Sequence, residues 1–181
     1  MCKLGAKRAV VKELKTENLT QGFAGTAYSS PISLFLAHLF AEFQHETSIM
    51  SRLIHPNIVE LYGVMLSPLR MVLEFCGHGD LFEAIEKKKM VSEALQLKVA
   101  LDIARGMHFL HSQTPPLAHR DLRSPNILLA SLDPKAPVCA KVSDFGLTVA
   151  MTETVRDPLN AWQWMVREIM SAFRTSSSLF S

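Results

Sequence analysis

The stretch from 117 to 146 carries two carboxylates and one amide in a fixed order. Asp121 stands in His119-Arg120-Asp121-Leu122, Asn126 follows it by five residues, and Asp144-Phe145-Gly146 begins eighteen residues after Asn126. Asn126 and Asp144 offer an amide oxygen and a carboxylate, the donor types that hard divalent cations take. Asp121 is a carboxylate able to accept or orient a hydroxyl proton. Phosphoryl transfer from ATP uses such a set, because it needs positioning and charge neutralisation more than covalent chemistry.

Two further residues fit that chemistry. Lys12 ends the β-branched run Ala9-Val10-Val11, and Glu46 shares a helical face with Ile49, Met50 and Leu53 at i, i+3, i+4 and i+7. A carboxylate on an apolar face needs a cationic partner if it is buried. Lys12 can fix phosphates if Glu46 holds it. Taken alone, Lys12 reads as a strand-end surface charge and Glu46 as a surface residue at the edge of its stripe. Their order relative to the later clusters gives them weight.

The elements that must position these groups follow from pattern. Ala9–Leu14 reads as a strand, and the small, polar stretch Asn18–Pro31 as a loop. The apolar window Ile32–Phe43 runs into the Glu46 helix, which His55-Pro56-Asn57 stops. Ile58–Met65 and Leu69–Phe75 read as two strands joined at Ser67-Pro68, and Cys76–Asp80 as a glycine-bracketed connection. Asp80 caps a helix over Leu81–Ile85, and Ser92 caps a longer one reaching Ser112, with Val99, Ala100, Ile103, Ala104, Met107 and Leu110 as its apolar stripe. Ile127–Leu129 and Val138–Val142 form a hairpin that brings Asn126 and Asp144 to one end. Trp162–Phe173 reads as a helix or an extended segment.

Composition sets the frame. The 181 residues suit one domain or part of a larger one, and 48% hydrophobic with 20% charged residues is a globular balance. A net charge of +2 gives no reason to expect nucleic acid or an anionic membrane as partner. The three cysteines, Cys2, Cys76 and Cys139, have no metal or disulfide spacing and read as reduced thiols of a cytoplasmic protein. The Ile32–Phe43 window is too short to span a bilayer, which needs roughly 20 apolar residues, and the N-terminus lacks the apolar core of a signal peptide.

His119-Arg120-Asp121-Leu122 with Asn126, then Asp144-Phe145-Gly146 across a strand–turn–strand, resembles the catalytic and metal loops of protein kinases. With H-P-N-I-V-E-L-Y-G-V-M (55–65) and M-V-L-E-F-C-G-H-G-D-L (71–81), the chain is similar to the tyrosine-kinase-like group, and especially to Roco-type kinases of amoebae. The resemblance covers Ala9 to Glu168, with a poor match at about Gln21–Leu39.

It implies an α+β, two-lobed kinase fold, ATP and Mg2+ as cofactors, and a protein substrate. Asp121 would be the catalytic base, with Lys12, Glu46 and Asn126 completing the catalytic set. Asn126 and Asp144 would hold magnesium. Glu74, Cys76, Asp80 and Leu128 would bind the nucleotide beside Lys12, with Leu73 as gatekeeper. Met50, Leu61, His119 and Phe145 would form the apolar column between the lobes. Arg120 would receive a phosphate from the activation segment, with Thr148, Thr152 and Thr154 as candidate donors.

Departures from the family shape the remaining expectations. No glycine-rich loop precedes Lys12, so the first two small-lobe strands are expected to be lost. Lys12 and Glu46 are 34 residues apart, so the 21–39 interval is either an insertion or intron-derived sequence. Val10 stands where the family has alanine against the adenine, and the substrate-side segment ends in Val166-Arg167-Glu168 rather than A-P-E. Residues 1–75 read as a partial small lobe, and 76–181 as a partial large lobe lacking its C-terminal helices. Such a core is expected to expose an apolar patch, to be covered by further domains or a partner. The expected function is transfer of the γ-phosphate to Ser or Thr, with Arg123 and Pro125 not settling this against Tyr. The alternative is an inactive ATP-binding or interaction module, or a non-functional kinase fragment.

Overall fold

The computed structural model describes residues 2–4, 7–14, 31–90 and 92–151. The expected loop over 18–30, the Trp162–Phe173 segment, Thr152 and Thr154 lie outside them.

A four-stranded antiparallel sheet comes first. Its strands are β1 (Cys2–Leu4), β2 (Lys7–Glu13), β3 (Leu61–Leu66) and β4 (Leu69–Glu74), in the order β1-β2-β4-β3. The short β1 corrects the expectation that both strands ahead of Ala9 are missing, since Cys2 pairs with Ala9 and Leu4 with Lys7. In the β2–β4 register, Val10 faces Leu73 and Lys12 faces Met71. Alternation along a strand therefore puts Val10, Lys12 and the buried Met71 on one face.

Between β2 and β3 lies α1 (Pro31–Met50), twenty residues without a break. Proline suits the first helical position, where its missing N–H is no loss. Residues 31–39 of the poorly matching interval are thus the first half of the helix that carries Glu46. After α1, the turn at 51–57 docks on the second half of the molecule. Val142 N donates to Asn57 O, Val59 N donates to Val142 O, and Asn57 Nδ2 donates to Ala140 O. The His55 ring stacks on Phe109 at 4.7 Å. The first of the two expected strands starts three residues late, at Leu61, because Ile58–Glu60 is engaged in this docking.

The second half is built on helices. Asp80 caps α2 (Leu81–Glu86) by accepting from Glu83 N at 2.8 Å, and Ser92 caps α3 (Glu93–His111) through Leu95 N at 3.2 Å. Both caps satisfy donors that a helix start leaves orphaned. Leu95, Val99, Ile103, Met107 and Leu110 are buried in one core with Leu122, Ile127, Leu129, Val142 and Phe145. Ala104, expected in that stripe, is exposed instead, beside Leu97 at 64% and Leu101 at 48%. α3 therefore carries a second apolar face turned outward. Gly106 permits its close approach to the docked turn, because a Cβ there would sit 2.8 Å from Asn57 O.

Two small ladders complete the described residues. β5 (Leu117–Ala118) pairs with β8 (Val149–Ala150), a pair too short to leave a period in the sequence. β6 (Ile127–Leu129) pairs with β7 (Ala140–Val142), the predicted hairpin. Asp102, fully buried on α3, anchors that hairpin by accepting from Cys139 N at 2.7 Å and Ala140 N at 3.2 Å. Lys98 neutralises it at 2.6 Å and also donates to Pro137 O.

Candidate active site

The two ends of the β6–β7 hairpin are fastened to each other. Ser143 donates to Asn126 O from both its N and its Oγ, each at 2.9 Å. Asn126 closes the 3₁₀ turn Ser124–Asn126, and Asp144 follows Ser143 directly. The pairing Ile127↔Val142 thus sets Asn126 and Asp144 side by side. Asn126 Nδ2 donates to Asp121 O at 2.8 Å and to Asp121 Oδ2 at 2.9 Å. These bonds use the amide nitrogen, and its oxygen is the atom a hard cation would take.

His119 fixes the same loop from beneath. Asp121 N donates to its Nδ1 at 3.3 Å, and its Nε2 lies 3.0 Å from Ser143 O. A carbonyl only accepts, so Nε2 carries the proton and Nδ1 is bare: the neutral tautomer. Burial holds the pKa below its usual value, with the Ser143 bond and the charges of Asp144 and Asp121 pulling the other way. The His119 ring meets Phe145 edge-on at 5.2 Å, and Phe145 is fully buried. Met50 belongs to the same buried cluster and Leu61 packs against it, so the four residues of the expected column meet in one core region. Arg120 and Asp144 have φ of 69° and 65°, in the left-handed region. Such backbone costs energy in non-glycine residues and concentrates at functional sites.

Lys12 reaches across from the sheet. Its Nζ lies 2.8 and 3.1 Å from the Glu46 carboxylate and 3.7 Å from Asp144 Oδ1. Glu46 is buried, while Lys12 and Asp144 keep nearly half their side-chain surface. The pair is therefore solvated on the side that opens to the cleft. That cleft, of about 250 Å³, is lined by Val10, Lys12, Glu46, Leu73 and Glu74 above and by Asn126, Leu128 and Asp144 below, with Met50, Val59, Pro125 and Ser143 between.

The family described as protein tyrosine and serine/threonine kinase matches residues 37–179. The chain belongs to the protein kinase family. It is 53% identical over 133 residues to "Probable serine/threonine-protein kinase roco11" of Dictyostelium discoideum, covering 74% of this chain and 9% of that protein. It is 45% identical over 177 residues to "Probable serine/threonine-protein kinase pats1" of the same organism, covering 93% of this chain and 5% of that protein. "Serine/threonine-protein kinase CTR1" of Arabidopsis thaliana is 38% identical over 144 residues, covering 75% of this chain and 17% of that protein. The chain thus spans less than a fifth of the length of each of these relatives.

Against the kinase pattern, Lys12, Glu46, Asn126 and Asp144 line one cleft, with Asp121 held against Asn126. Leu73, Glu74 and Leu128 line it too. Cys76 and Asp80 do not, and the Asp80 carboxylate is engaged as the α2 cap, although its backbone bridges Leu128. The Cys76 thiol is pushed up to about 11, first by burial and then by the Glu74 charge. Thr148 is fully buried, so it is no accessible phosphate donor in this conformation.

Sequence reasoning missed Ser143 as the clasp between the two loops and Lys141 as the partner of Glu74 at 2.8 Å. Lys141 lies opposite Leu128 in the hairpin register. The hairpin pattern carries that pairing, but nothing local marks its reach to β4.

Proposed function

We propose that this kinase domain transfers the γ-phosphoryl group of ATP to a serine or threonine hydroxyl of a protein, with ADP leaving. What supports the reading is one observation: the Lys12–Glu46 pair, Asn126 and Asp144 converge on a single cleft with Asp121 hydrogen-bonded at its edge.

Lys12 contacts the α- and β-phosphates, and Glu46 holds its ammonium in place. The apolar side chains of Val10 and Leu128 sandwich the adenine, with Leu73 as gatekeeper, the backbone from Glu74 to Cys76 at its edge and Asp80 near the ribose. Asp121 accepts or orients the proton of the attacking hydroxyl. Among the described residues, no group of three or more His, Cys, Asp or Glu could hold a metal alone. That fits magnesium, which is bound through one or two protein oxygens plus substrate phosphates. Asn126 and Asp144 would hold it, and it would supply the positive charge that neutralises charge developing on the transferred phosphoryl group.

The second reading is nucleotide binding or protein interaction without turnover. Val10 favours it, because a bulky side chain lines a cleft smaller than the roughly 300 Å³ of ordinary ligand pockets. Radiolabelled phosphate transfer by the purified chain, beside Asp121→Asn and Lys12→Met, decides. Transfer above the Asp121→Asn background supports the enzyme. Its absence, with Mg-ATP still raising Tm, supports the binding module.

The proposed location is the cytoplasm, on the reading of Cys2, Cys76 and Cys139 as reduced thiols. No helix among the described residues is long and apolar enough to cross a membrane. The outward apolar face of α3 is the surface that further domains or a partner would cover.

A further inference from the structure

The residue before Glu46 reaches the other loop of the site. His45 Nε2 lies 2.8 Å from Thr148 O, across 103 residues of sequence. A carbonyl oxygen only accepts, so Nε2–H donates, in the neutral tautomer or the imidazolium alike. Thr148 itself is fully buried, yet among the described residues its Oγ1 has no hydrogen-bond partner. Its N donates to Phe145 O at 3.1 Å and closes the turn that follows Asp144. Among the described residues the Thr148 side chain offers the turn no polar anchor, and the carbonyl bond to His45 ties it to α1.

Neighbouring positions of α1 thus reach one segment at two points. Glu46 acts through Lys12, whose Nζ lies 3.7 Å from Asp144 Oδ1. His45 acts directly, four residues further along. Beyond Thr148 the segment is held by β5, through the Leu117↔Ala150 and Ala118↔Val149 pairs and through Met151 N donating to Pro116 O at 2.7 Å. Between Asp144 and β8, the His45 bond is a polar tie of the turn to α1, beside the apolar packing of Phe145 in the core that holds Met50.

We infer that His45 is a positioning residue, whose imidazole couples the placement of α1 to that of the Asp144–Thr148 turn and so keeps Glu46 and Asp144 in register with Lys12. The inference rests on the kinase reading for its consequence in turnover, but not for its structural content. A glutamine amide N–H can replace the donor, and an alanine cannot.

The test is amide hydrogen exchange on the full chain, wild type beside His45→Ala and His45→Gln, without nucleotide. The expected result is exchange about tenfold faster at 147–151 in His45→Ala, unchanged exchange at 99–110 of α3, and protection restored in His45→Gln. Equal exchange in wild type and His45→Ala overturns the inference. So does equal loosening of α3, which marks a general loss of stability, and so does a glutamine variant no better than alanine. If wild type transfers phosphate, His45→Ala lowers kcat with the KM for the protein substrate unchanged, and His45→Gln recovers it; a change confined to KM overturns the inference. A wild type that binds no Mg-ATP defeats the kinase reading and leaves the exchange comparison standing.

Discussion

The side-chain nitrogen of Asn126 grips Asp121 at two points, its carbonyl at 2.8 Å and its carboxylate at 2.9 Å. The carboxylate is thereby aimed before any substrate arrives. Asp121→Asn keeps the shape and removes the proposed base. It should lower phosphate transfer by about 10²–10⁴-fold, the usual worth of general acid–base catalysis. Tm should stay within about 4 °C, which is on the order of 1 kcal/mol for a chain of this size. Steady-state kinetics beside a thermal melt check both halves.

Glu46 is buried and its cation is half exposed. Removing the cation strands the carboxylate, so Lys12→Met should cost about 1–2 kcal/mol as well as activity. Adding Glu46→Leu should recover part of that stability and none of the activity. A double-mutant cycle by urea unfolding measures the coupling; simple additivity would show that the pair contributes nothing to the fold.

Asp102 lies outside the cleft, but it holds the hairpin that carries Asn126 and Asp144. Asp102→Ala strands two buried amides and the Lys98 ammonium. Breaking a buried pair costs about 3–5 kcal/mol, a large share of the 5–15 kcal/mol typical of a domain. The expected outcome is a chain substantially unfolded on mild heating, read by circular dichroism. Asp102→Asn, which keeps an acceptor oxygen, should lose less.

His119 is held neutral by burial, below its ordinary value of 6.5. The unfolded chain therefore binds more protons as pH falls below about 6.5, and stability drops with it. The contribution is complete above the unfolded pKa and is lost as pH falls towards the lowered folded pKa. Burial shifts His55 and His111 the same way. Tm should fall between pH 7 and pH 5, and His119→Asn should flatten part of that slope. A Tm that rises on acidification would contradict the neutral tautomer.

Much of the site was legible because kinase chemistry leaves short, ordered signatures. The Asp121–Asn126 spacing and the hairpin pattern sufficed to bring Asn126 and Asp144 together, and the helical stripe carrying Glu46 gave the face that meets Lys12. Asp80 and Ser92 were readable as caps because capping is local chemistry. What escaped depends on distant chain segments. The three-residue β1 and the two-residue β5 and β8 are too short to leave a period. Ala104 sits at the edge of the α3 stripe, where pattern cannot decide which side a neighbour will cover. The Ser143 clasp and the His45 bond join residues 17 and 103 positions apart, which no local pattern reports.

The turn after α1 is fixed to the large lobe through Asn57, Val59 and the stacked His55, while the helix ahead of it touches β3 of the small sheet and reaches Thr148 through His45. Mechanically, that makes α1 a lever with its fulcrum at its Met50 end. At 1.5 Å per residue, Glu46 stands roughly 6 Å from the helix end at Met50, and Leu36 roughly 21 Å. A few degrees of tilt displaces the far end more than three times as much as it displaces Glu46. The Lys12 contact therefore sits where the lever moves least, and the N-terminal half of the helix is where a push would have the greatest advantage.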